Sequence, residues 1–314
     1  MKAVRFHDYG TPEVLRYEDV DQPVPGAGQV RVRVAATSFN PIDASVRAGN
    51  MQGPMPVVLP HTPGRDVAGT VDALGDGVDG LAVGDEVVGF LPMTDDGASA
   101  EYILVPAEIL TPAPTSVPLS DAAALPLVGL TAWQALFDHG KLAVGQRVLV
   151  NGAGGAVGGY AVQLAKWAGA HVVATASPRS AELVKAHGAD EVVDHTSADV
   201  VGAVSEPVDV VLNLAPVAPE QLAALATVVR PGGVVVNTTV WMPAPDDEER
   251  GVRGVNLFVR SDAEQLARLV GLVDGGDLRV EVARRVPLAE LPALHTQAAE
   301  GALAGKVVVL VSGA

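Results

Sequence analysis

The distribution of apolar and polar positions divides the chain into two kinds of segment. Over roughly the first 120 residues, short apolar or alternating runs such as QVRVRVAAT and GDEVVGF are separated by Gly and Pro. Runs of this length between turn residues predict a mostly β unit, such as a partly closed barrel. From residue 147 onward, apolar runs alternate with segments of helical periodicity. This alternation predicts a parallel, doubly wound sheet.

Three further segments have a distinct pattern. SDAAALPLVGLTAWQALFDHG predicts a helix with Leu130, Trp133 and Phe137 on one side and a stop at Gly140. SDAEQLARLVGLVDGG predicts a helix that begins with a capping box from Ser261 to Glu264. The apolar runs GGVVVNTTV and GKVVVLVSG predict strands, and the first is apolar enough to pair with a second copy across a subunit edge.

A glycine cluster follows the first of the alternating apolar runs, in VLVNGAGGAVGGYAVQLAKWAG. The common dinucleotide fingerprint G-x-G-x-x-G fails here because Val157 stands where its third glycine belongs, whereas Gly152, Gly155 and Gly158 fit a G-x-x-G-x-x-G variant. Glycines between a strand and a helix allow the backbone to approach a ligand, and the helix N-terminus offers free N–H groups to an anion. The segment is therefore predicted to bind a pyrophosphate.

The end of the next strand indicates which cofactor is bound. NAD sites place Asp or Glu there to bind the ribose hydroxyls, but ATASPRS has no carboxylate between Ala174 and Ala181. Ser177, Arg179 and Ser180 instead offer hydroxyls and a guanidinium, which favour a 2′-phosphate. His195 could approach the same phosphate or be an ordinary exposed histidine. We predict NADPH as the cofactor.

Composition excludes several other classes of function. The formal charge of −16 argues against a nucleic-acid surface or a general affinity for anionic membranes. The absence of cysteine excludes disulfides, thiolate nucleophiles and Cys-bound zinc. No apolar run reaches the ~18 residues of a membrane span, and the N-terminus lacks the apolar core of a signal peptide. A cytoplasmic protein is expected.

Several motifs, taken in order, resemble one family. They are FNPIDASVRAG, PHTPGRDVAG, GDEVVGF, ALPLVGLTAWQAL, the glycine turn, GADEVVDH, RPGG and the terminal GKVVV. Together they resemble the zinc-independent quinone oxidoreductase, or zeta-crystallin-like, branch of the medium-chain dehydrogenase/reductase superfamily. The resemblance covers nearly the whole chain.

The resemblance implies an α/β fold, with a GroES-like β-barrel domain and an inserted Rossmann domain with a doubly wound parallel sheet. The expected boundaries are 1–122 and 262–314 for the catalytic GroES-like domain and 123–261 for the NADP-binding domain. The cleft between them would hold nicotinamide and substrate, and the family implies a homodimer.

The resemblance also implies cofactor-binding positions. The pyrophosphate would lie on Gly154, Gly155, Ala156 and Val157. Ser177 and His195 would lie near the adenosine phosphate, Thr131 near the nicotinamide amide, and Asn237 on the strand that faces the cofactor. The segment with Phe258 would line the cleft, although this side chain could equally have no part in the site.

No catalytic metal is expected. Zinc-dependent relatives use Cys and His ligands, whereas here Asn40 occupies the region of the first catalytic Cys and Arg65 the place of the ligand His. Arg65 also departs from the zinc-free branch. It could reach substrate or pair with an acid such as Asp66.

Without a Lewis acid, the hydride acceptor should be activated by its own structure, as a quinone or an α,β-unsaturated carbonyl compound is. Charge then develops on a remote oxygen, which fixed hydrogen-bond donors can stabilise. Asn40 is the leading candidate donor, followed by Ser45 and Arg65. Asp43 could secure the loop or transfer a proton.

Several functions stay open at this point. Within the reductase hypothesis, quinone reduction and the reduction of an enoyl or alkenal double bond in a secondary-metabolite pathway are both compatible with the residues. Two other hypotheses are a metal-assisted alcohol dehydrogenase with unusual ligands and a non-enzymatic NADPH-binding protein.

Overall fold

The structure, a computed structural model, describes residues 1–239 and 241–311. They form two compact units. The first contains residues 1–127, 261–276 and the described residues from 280 onward, and the second contains the described residues of 128–260 together with 277–279. Whether the units are the domains expected at 1–122 with 262–314 and at 123–261 stays a prediction. The last residue of the predicted strand GGVVVNTTV, Val240, lies outside the described residues. So do residues 312–314, of which 312 and 313 end the predicted strand GKVVVLVSG.

Strands occur in both units. In chain order they are β1 (Lys2–Phe6), β2 (Leu15–Asp19), β3 (Gln29–Ser38), β4 (Asp66–Leu74), β5 (Glu86–Phe90), β6 (Tyr102–Pro106), β7 (Leu110–Pro112), β8 (Arg147–Asn151), β9 (His171–Ala176), β10 (Glu191–Asp194), β11 (Val208–Asn213), β12 (Val229–Asn237), β13 (Arg253–Asn256), β14 (Arg284–Pro287) and β15 (Val307–Leu310).

Helices connect many of these strands. In chain order they are α1 (Pro41–Arg47), α2 (Leu119–Ala122), α3 (Pro126–Trp133), α4 (Ala156–Trp167), α5 (Ala181–Ala186), α6 (Val200–Ala203), α7 (Pro219–Ala226), α8 (Ala263–Asp274) and α9 (Leu291–Ala299).

The second unit is built on a parallel sheet with the strand order β10-β9-β8-β11-β12-β13. Every residue of β11, VDVVLN, is buried, as expected for a strand covered by helices on both faces. After β8 the chain builds outward to β9 and β10, and then returns to place β11 on the other side of β8. The carboxyl ends of β8 and β11 therefore form the switch point at which such sheets bind ligands. The predicted α/β class and doubly wound parallel sheet are confirmed.

The first unit contains a mostly antiparallel sheet with the order β14-β15-β3-β4-β5-β7, in which β6 also pairs with β3. Val30, Val32 and Val34 alternate along β3 and pack into one apolar cluster of this unit. β15 pairs antiparallel with β3, so that Val309 lies opposite Thr37. β14 and β15 thus extend, beside β3, a sheet whose other strands come from residues 29–112.

The helix predicted to stop at Gly140 does so, as α3 followed by a wider, π-helical turn at Gln134–His139 that Gly140 caps. Two other local predictions were wrong. α8 is capped by Asp262, whose carboxylate accepts the N–H of Gln265 at 2.9 Å, while Ser261 Oγ donates to the carbonyl of Phe90. The strand expected at a subunit edge, β12, lies between β11 and β13, so both of its edges are hydrogen-bonded within the chain.

Candidate functional site

The glycine turn lies at the switch point of the parallel sheet, between β8 and α4. Gly152 has a φ of 93°, a left-handed conformation that favours glycine. A Cβ atom at this position would also lie 3.1 Å from the backbone nitrogen of Ala215, which follows β11. The bare backbone at Gly152 is therefore needed both for the turn and for the close approach of the two strands' loops.

The next residues leave the helix N-terminus accessible. Gly154 and Gly155 are exposed, and Gly155 is the N-cap of α4. α4 begins at Ala156, and the N–H groups of Ala156 and Val157 have no acceptor within the helix. A Cβ at Gly154 would lie 2.8 Å from the Cβ of Ser180. Gly154, Ala156 and Val157 therefore present backbone N–H groups on an open surface where an anion can bind, whereas the N–H of Gly155 donates to the carbonyl of Gly152 at 3.1 Å.

Ser177, Arg179 and Ser180 follow β9. The hydroxyls of Ser177 and Ser180 are 3.4 Å apart. Arg179 is exposed, and it makes no hydrogen bond or ion pair within the part of the chain that the structure describes. Its guanidinium is therefore available to an anionic group beside the glycine turn.

A cavity of about 340 Å³ lies at the carboxyl ends of the strands in the second unit. Its lining includes Gly152, Thr175, His195, Asp199 and Val201. The structure thus brings His195, which is exposed, to the same cavity as the glycine turn. Mixed polar and aliphatic walls of this kind suit a flat heteroaromatic group with polar edges.

Two carboxylates of the same region were not considered in the sequence reasoning. Asp194 accepts hydrogen bonds from Thr196 and Ser197, and Asp199 accepts the N–H groups of Val201 and Gly202. These bonds lower the pKa of Asp194, the side-chain bond from Thr196 contributing most. Both carboxylates are thus engaged in local turns.

A chain of hydrogen-bonded polar side chains crosses the ends of five neighbouring strands, and sequence reasoning found only one of its members. We call it the strand-end amide chain, and it consists of Thr175, Asn151, Asn213, Asn237 and Asn256. Its four asparagines are the last residues of β8, β11, β12 and β13, and they lie opposite one another in the sheet register. The signal was available for Asn151, Asn213 and Asn237, because each of them ends an apolar run.

The bonds of the strand-end amide chain run in one direction. Thr175 Oγ1 donates to Asn151 Oδ1 at 2.9 Å, and Asn151 Nδ2 donates to Asn213 Oδ1 at 2.8 Å. Asn213 Nδ2 donates to Asn237 Oδ1 at 2.9 Å, and Asn237 Nδ2 lies 3.4 Å from Asn256 Oδ1. Asn237, predicted to face the cofactor, is thus only 1% exposed and also bonds to the loop at Thr239 and Met242.

The other two residues expected near the cofactor lie elsewhere in the second unit. Thr131 is buried on α3 with 7% of its surface exposed. Phe258 follows β13 and is 56% exposed. The roles of Thr131 and Phe258 stay predictions.

In the first unit, Asn40 belongs to a buried polar cluster with Asp66 and Lys306. Asn40 Nδ2 donates to Asp66 Oδ2 at 2.8 Å, and Lys306 Nζ donates to Asn40 Oδ1 at 2.5 Å. Lys306 Nζ also lies 3.3 Å from Asp66 Oδ2. Ser38 Oγ and the N–H of Leu127 complete the bonds to Asp66. Because both ends of the Asn40 amide are engaged, a role as donor to substrate would require one of these bonds to break.

Asp43 holds the loop that precedes it. One carboxylate oxygen accepts the N–H of Asn40 at 2.9 Å, and the other accepts the N–H of Gly64 at 3.1 Å. Burial raises the pKa of Asp43 to about 6, although the charge of Arg65 and both backbone bonds oppose the shift. These contacts favour the loop-securing role over proton transfer.

Arg65 is 2% exposed and is held mainly by backbone carbonyls. Its guanidinium donates to the carbonyls of Pro92, Asp95 and Thr62, and one nitrogen lies 3.2 Å from His61 Nε2. Since a guanidinium only donates, His61 Nε2 must be the unprotonated acceptor. Burial, together with the Arg65 charge, lowers the pKa of His61 to about 4. Within the described residues, the Arg65 guanidinium makes no hydrogen bond or ion pair with the Asp66 carboxylate.

Ser45, the third predicted catalytic residue, lies on α1 and is half-buried. Within the described parts of the chain, no group of three His, Asp or Glu side chains is arranged to hold a metal ion. The described helices include none that is long and apolar enough to cross a bilayer.

Two models of known families match parts of the chain. Residues 26–115 match the model of the alcohol dehydrogenase GroES-like domain, and residues 187–309 match that of zinc-binding dehydrogenases. The first match lies in the first unit and confirms its GroES-like fold.

Relatives and solved structures match over nearly the whole chain. The chloroplast envelope quinone oxidoreductase homolog of Arabidopsis thaliana is 32% identical, over 98% of each chain. A quinone oxidoreductase structure from Coxiella burnetii matches with a TM-score of 0.88 and 30% identity, covering 99% of each chain. A mycobacterial protein solved in complex with NADPH matches with a TM-score of 0.84 and 30% identity, again over 99% of each chain.

The glycine turn at the switch point, the GroES-like first unit and these full-length similarities agree with the motifs of the sequence. The chain belongs to the medium-chain dehydrogenase/reductase superfamily of oxidoreductases, in its zeta-crystallin-like quinone oxidoreductase branch.

Proposed function

We propose that this protein is an NADPH-dependent reductase of quinones or α,β-unsaturated carbonyl compounds that works without a metal. The observation that carries the proposal is the glycine turn, with its exposed Gly154 and Gly155 at the N-terminus of α4. The quinone oxidoreductase names of its relatives support the substrate class.

The residues of the second unit fit a dinucleotide. Gly154, Ala156 and Val157 would bind the pyrophosphate through backbone N–H groups, and Gly155, whose own N–H donates to the Gly152 carbonyl, would allow it a close approach. The adenine would occupy the cavity that includes His195 and Val201.

NADPH is favoured over NADH by the groups after β9. Arg179 is an exposed cation without a partner among the described residues, and Ser177 and Ser180 supply hydroxyls beside it. A 2′-phosphate would accept charge-assisted hydrogen bonds from this set. The NADPH complex of a structural neighbour supports the same cofactor.

Bound NADPH supplies a hydride, and the substrate supplies an activated double bond or quinone ring. The protein orients the two and stabilises charge on the substrate oxygen. Because Asn40 and Arg65 are engaged within the first unit, we assign them to positioning this region and keep Ser45 as the candidate for direct contact. The reduced product also gains one proton, whose donor is not assigned.

A panel assay tests the proposal. Purified protein is mixed with NADPH or NADH and with quinones, enals and enones, and cofactor oxidation is followed at its absorbance band. Consumption of NADPH with at least one acceptor after treatment with a chelator is expected. If no acceptor is reduced although NADPH binds, the non-enzymatic NADPH-binding alternative is favoured.

The metal-assisted alcohol dehydrogenase is the second candidate, since part of the chain matches the zinc-binding dehydrogenase model. Metal analysis of purified protein separates it from the first. Stoichiometric zinc, with activity lost to the chelator, would overturn the metal-free proposal.

A homodimer and a cytoplasmic location complete the proposal. The homodimer rests on the family resemblance: β13 is the outermost strand on one side of the described sheet, but the N–H of Gly254 there already donates to Asp246 at 2.8 Å. Light scattering coupled to size-exclusion chromatography tests the dimer, and fractionation of the producing cells tests the location.

A further inference from the structure

We propose that the strand-end amide chain is a positioning device for the cofactor, which fixes the Gly152 turn through Thr175 and keeps the ends of β8, β11, β12 and β13 uncharged beneath a polyanion. This inference rests on the proposed function, because it takes the bound ligand to be a dinucleotide. Its five members, defined above, lie on strands that follow one another in the sheet but not in the sequence.

Thr175 links the strand-end amide chain to the glycine turn. The N–H of Gly152 donates to Thr175 Oγ1 at 2.9 Å, and the N–H of Ala153 donates to the carbonyl of Thr175 at 3.1 Å. Thr175 is 1% exposed. Gly152, Asn151 and Thr175 all line the cavity assigned to the adenine. Thr175 therefore holds the start of the turn, while the N–H groups of Gly154, Ala156 and Val157 stay available to a ligand.

The hydrogen bonds of the strand-end amide chain have a fixed direction. Thr175 has one hydroxyl proton, which it donates to Asn151, so its lone pairs are left for Gly152. Asn151, Asn213 and Asn237 each accept with the side-chain oxygen and donate with the nitrogen. At the far end, Asn256 Oδ1 also accepts the N–H of Ala244 at 2.9 Å. Reversing one amide would break the bonds on both of its sides, so the chain has one satisfied arrangement.

The side chains of the strand-end amide chain are uncharged. The molecule carries a formal charge of −16, yet β8, β11, β12 and β13 all end in neutral amides. A carboxylate has the same shape as an asparagine amide, but it would leave an oxygen facing an oxygen in this chain. It would also repel the phosphates of a dinucleotide. Amides supply the hydrogen bonds without that repulsion.

Variants of Thr175 test the link to the turn. Thr175→Val keeps the β-branched shape but removes the hydroxyl, and Thr175→Ser keeps the hydroxyl. Dissociation constants for NADPH are measured by calorimetry well below each variant's unfolding temperature. We expect Thr175→Val to bind about fivefold more weakly or worse, the effect of losing one net hydrogen bond. Thr175→Ser should restore binding to near the wild-type value.

A charge variant tests the second part. Asn213→Asp is expected to weaken NADP⁺ binding about tenfold or more at pH 8. The loss should shrink at pH 5.5, where the buried carboxyl regains a proton. Asn50→Asp, at an exposed position of the first unit, adds the same charge as a control. Each variant is compared with the wild type at the same pH, so that titration of the 2′-phosphate cancels.

These measurements distinguish a failure of the positioning role from a failure of the proposed function. If the wild type binds NADPH and Thr175→Val binds it equally well, the positioning role is overturned. If Thr175→Ser fails to restore binding, the hydroxyl is not the cause and the inference also falls. If the wild type binds neither NADPH nor NADH, the proposed function is overturned and this inference falls with it.

Discussion

Lys306 and Asp66 form a buried ion pair, in which Nζ lies 3.3 Å from Oδ2 and the two side chains are 3% and 0% exposed. The residues are separated by 240 positions in the chain. Burial lowers the pKa of Lys306, while the nearby Asp66 and Asp43 carboxylates act in the opposite direction. The pair thus joins the residue before β15 to the start of β4, beside Asn40.

Removing one charge of this pair should be strongly destabilising. Lys306→Met leaves the Asp66 carboxylate buried without its cation, and we expect a loss of about 3–5 kcal/mol in the free energy of unfolding. Denaturant titration measures it. Lys185→Met, which breaks an exposed pair with Glu182, is the control and should change stability little. Equal losses in the two variants would contradict the special position of Lys306.

Asn40→Ala should separate structural from catalytic effects. The substitution removes partners from both Lys306 and Asp66, so a loss of about 1–3 kcal/mol in unfolding free energy is expected. Turnover should fall, while the dissociation constant for NADPH should stay within about twofold of wild type, because cofactor contacts are proposed for the second unit. Unchanged turnover would remove Asn40 from the proposed mechanism.

Arg179→Glu should change the choice of cofactor. Replacing the exposed cation by an anion is expected to weaken NADPH binding roughly tenfold or more. NADH, which lacks the 2′-phosphate, should be affected much less. Arg268→Glu, on the exposed side of α8 in the first unit, makes the same change in charge and should alter neither constant. Equal losses for the two cofactors in Arg179→Glu would count against the phosphate site.

Two glycine-to-alanine variants should have opposite effects on stability. A Cβ at Gly158 would lie 2.5 Å from the Cα of Ala153, so Gly158→Ala must distort the turn and should cost about 1–3 kcal/mol. Gly271 lies in α8 with nothing within 4 Å of its added Cβ. Gly271→Ala should stabilise the protein by about 0.5–1 kcal/mol. Thermal and denaturant unfolding of both variants provide the measurement.

His295 should make stability depend on acid pH. Burial, with a smaller effect from Arg47, lowers its pKa to about 3 from the ordinary 6.5, and neither ring nitrogen has a hydrogen-bond partner among the described residues. The unfolded chain therefore binds the proton first, so this contribution to stability is present above pH 6.5 and is lost as the pH falls toward 3. Between pH 7.5 and 4.5 the loss should be about 3 kcal/mol.

His295→Leu tests this linkage. The variant should lose less stability than the wild type between pH 7.5 and 4.5, as measured by urea unfolding at both values. At pH 7.5 its stability should be similar or higher, because an apolar group replaces unpaired buried nitrogens. His7→Leu, at a position whose side chain is 36% exposed, is the control. If His295→Leu loses as much stability as the wild type between pH 7.5 and 4.5, groups other than His295 cause the sensitivity to acid.

Much of the second unit could be predicted from local sequence. Apolar runs such as RVLVN and VDVVLN alternate with helical segments, and this alternation alone indicates a parallel sheet with helices on its faces. The glycine turn could be placed because it follows β8 directly. In both cases the signal is contained within about ten consecutive residues, over which periodicity and backbone preference determine the outcome.

The polar networks could not be predicted in the same way. Asn151, Asn213 and Asn237 meet only because the strand order and the register place them side by side. Lys306 meets Asn40 only through the antiparallel pairing of β15 with β3. Such contacts depend on topology rather than on spacing. This is also why Asn40 looked available to a substrate from its motif, although its amide is engaged.

The pairing of β15 with β3 has a consequence for biosynthesis. A ribosome makes β3 before the parallel sheet, whereas β15, which lies beside β3, and the lysine that neutralises Asp66 are made after that sheet. The six strands of the parallel sheet, in contrast, are all complete by Asn256. During translation the middle of the polypeptide can therefore finish its own sheet while the earlier segment still waits for its final strand.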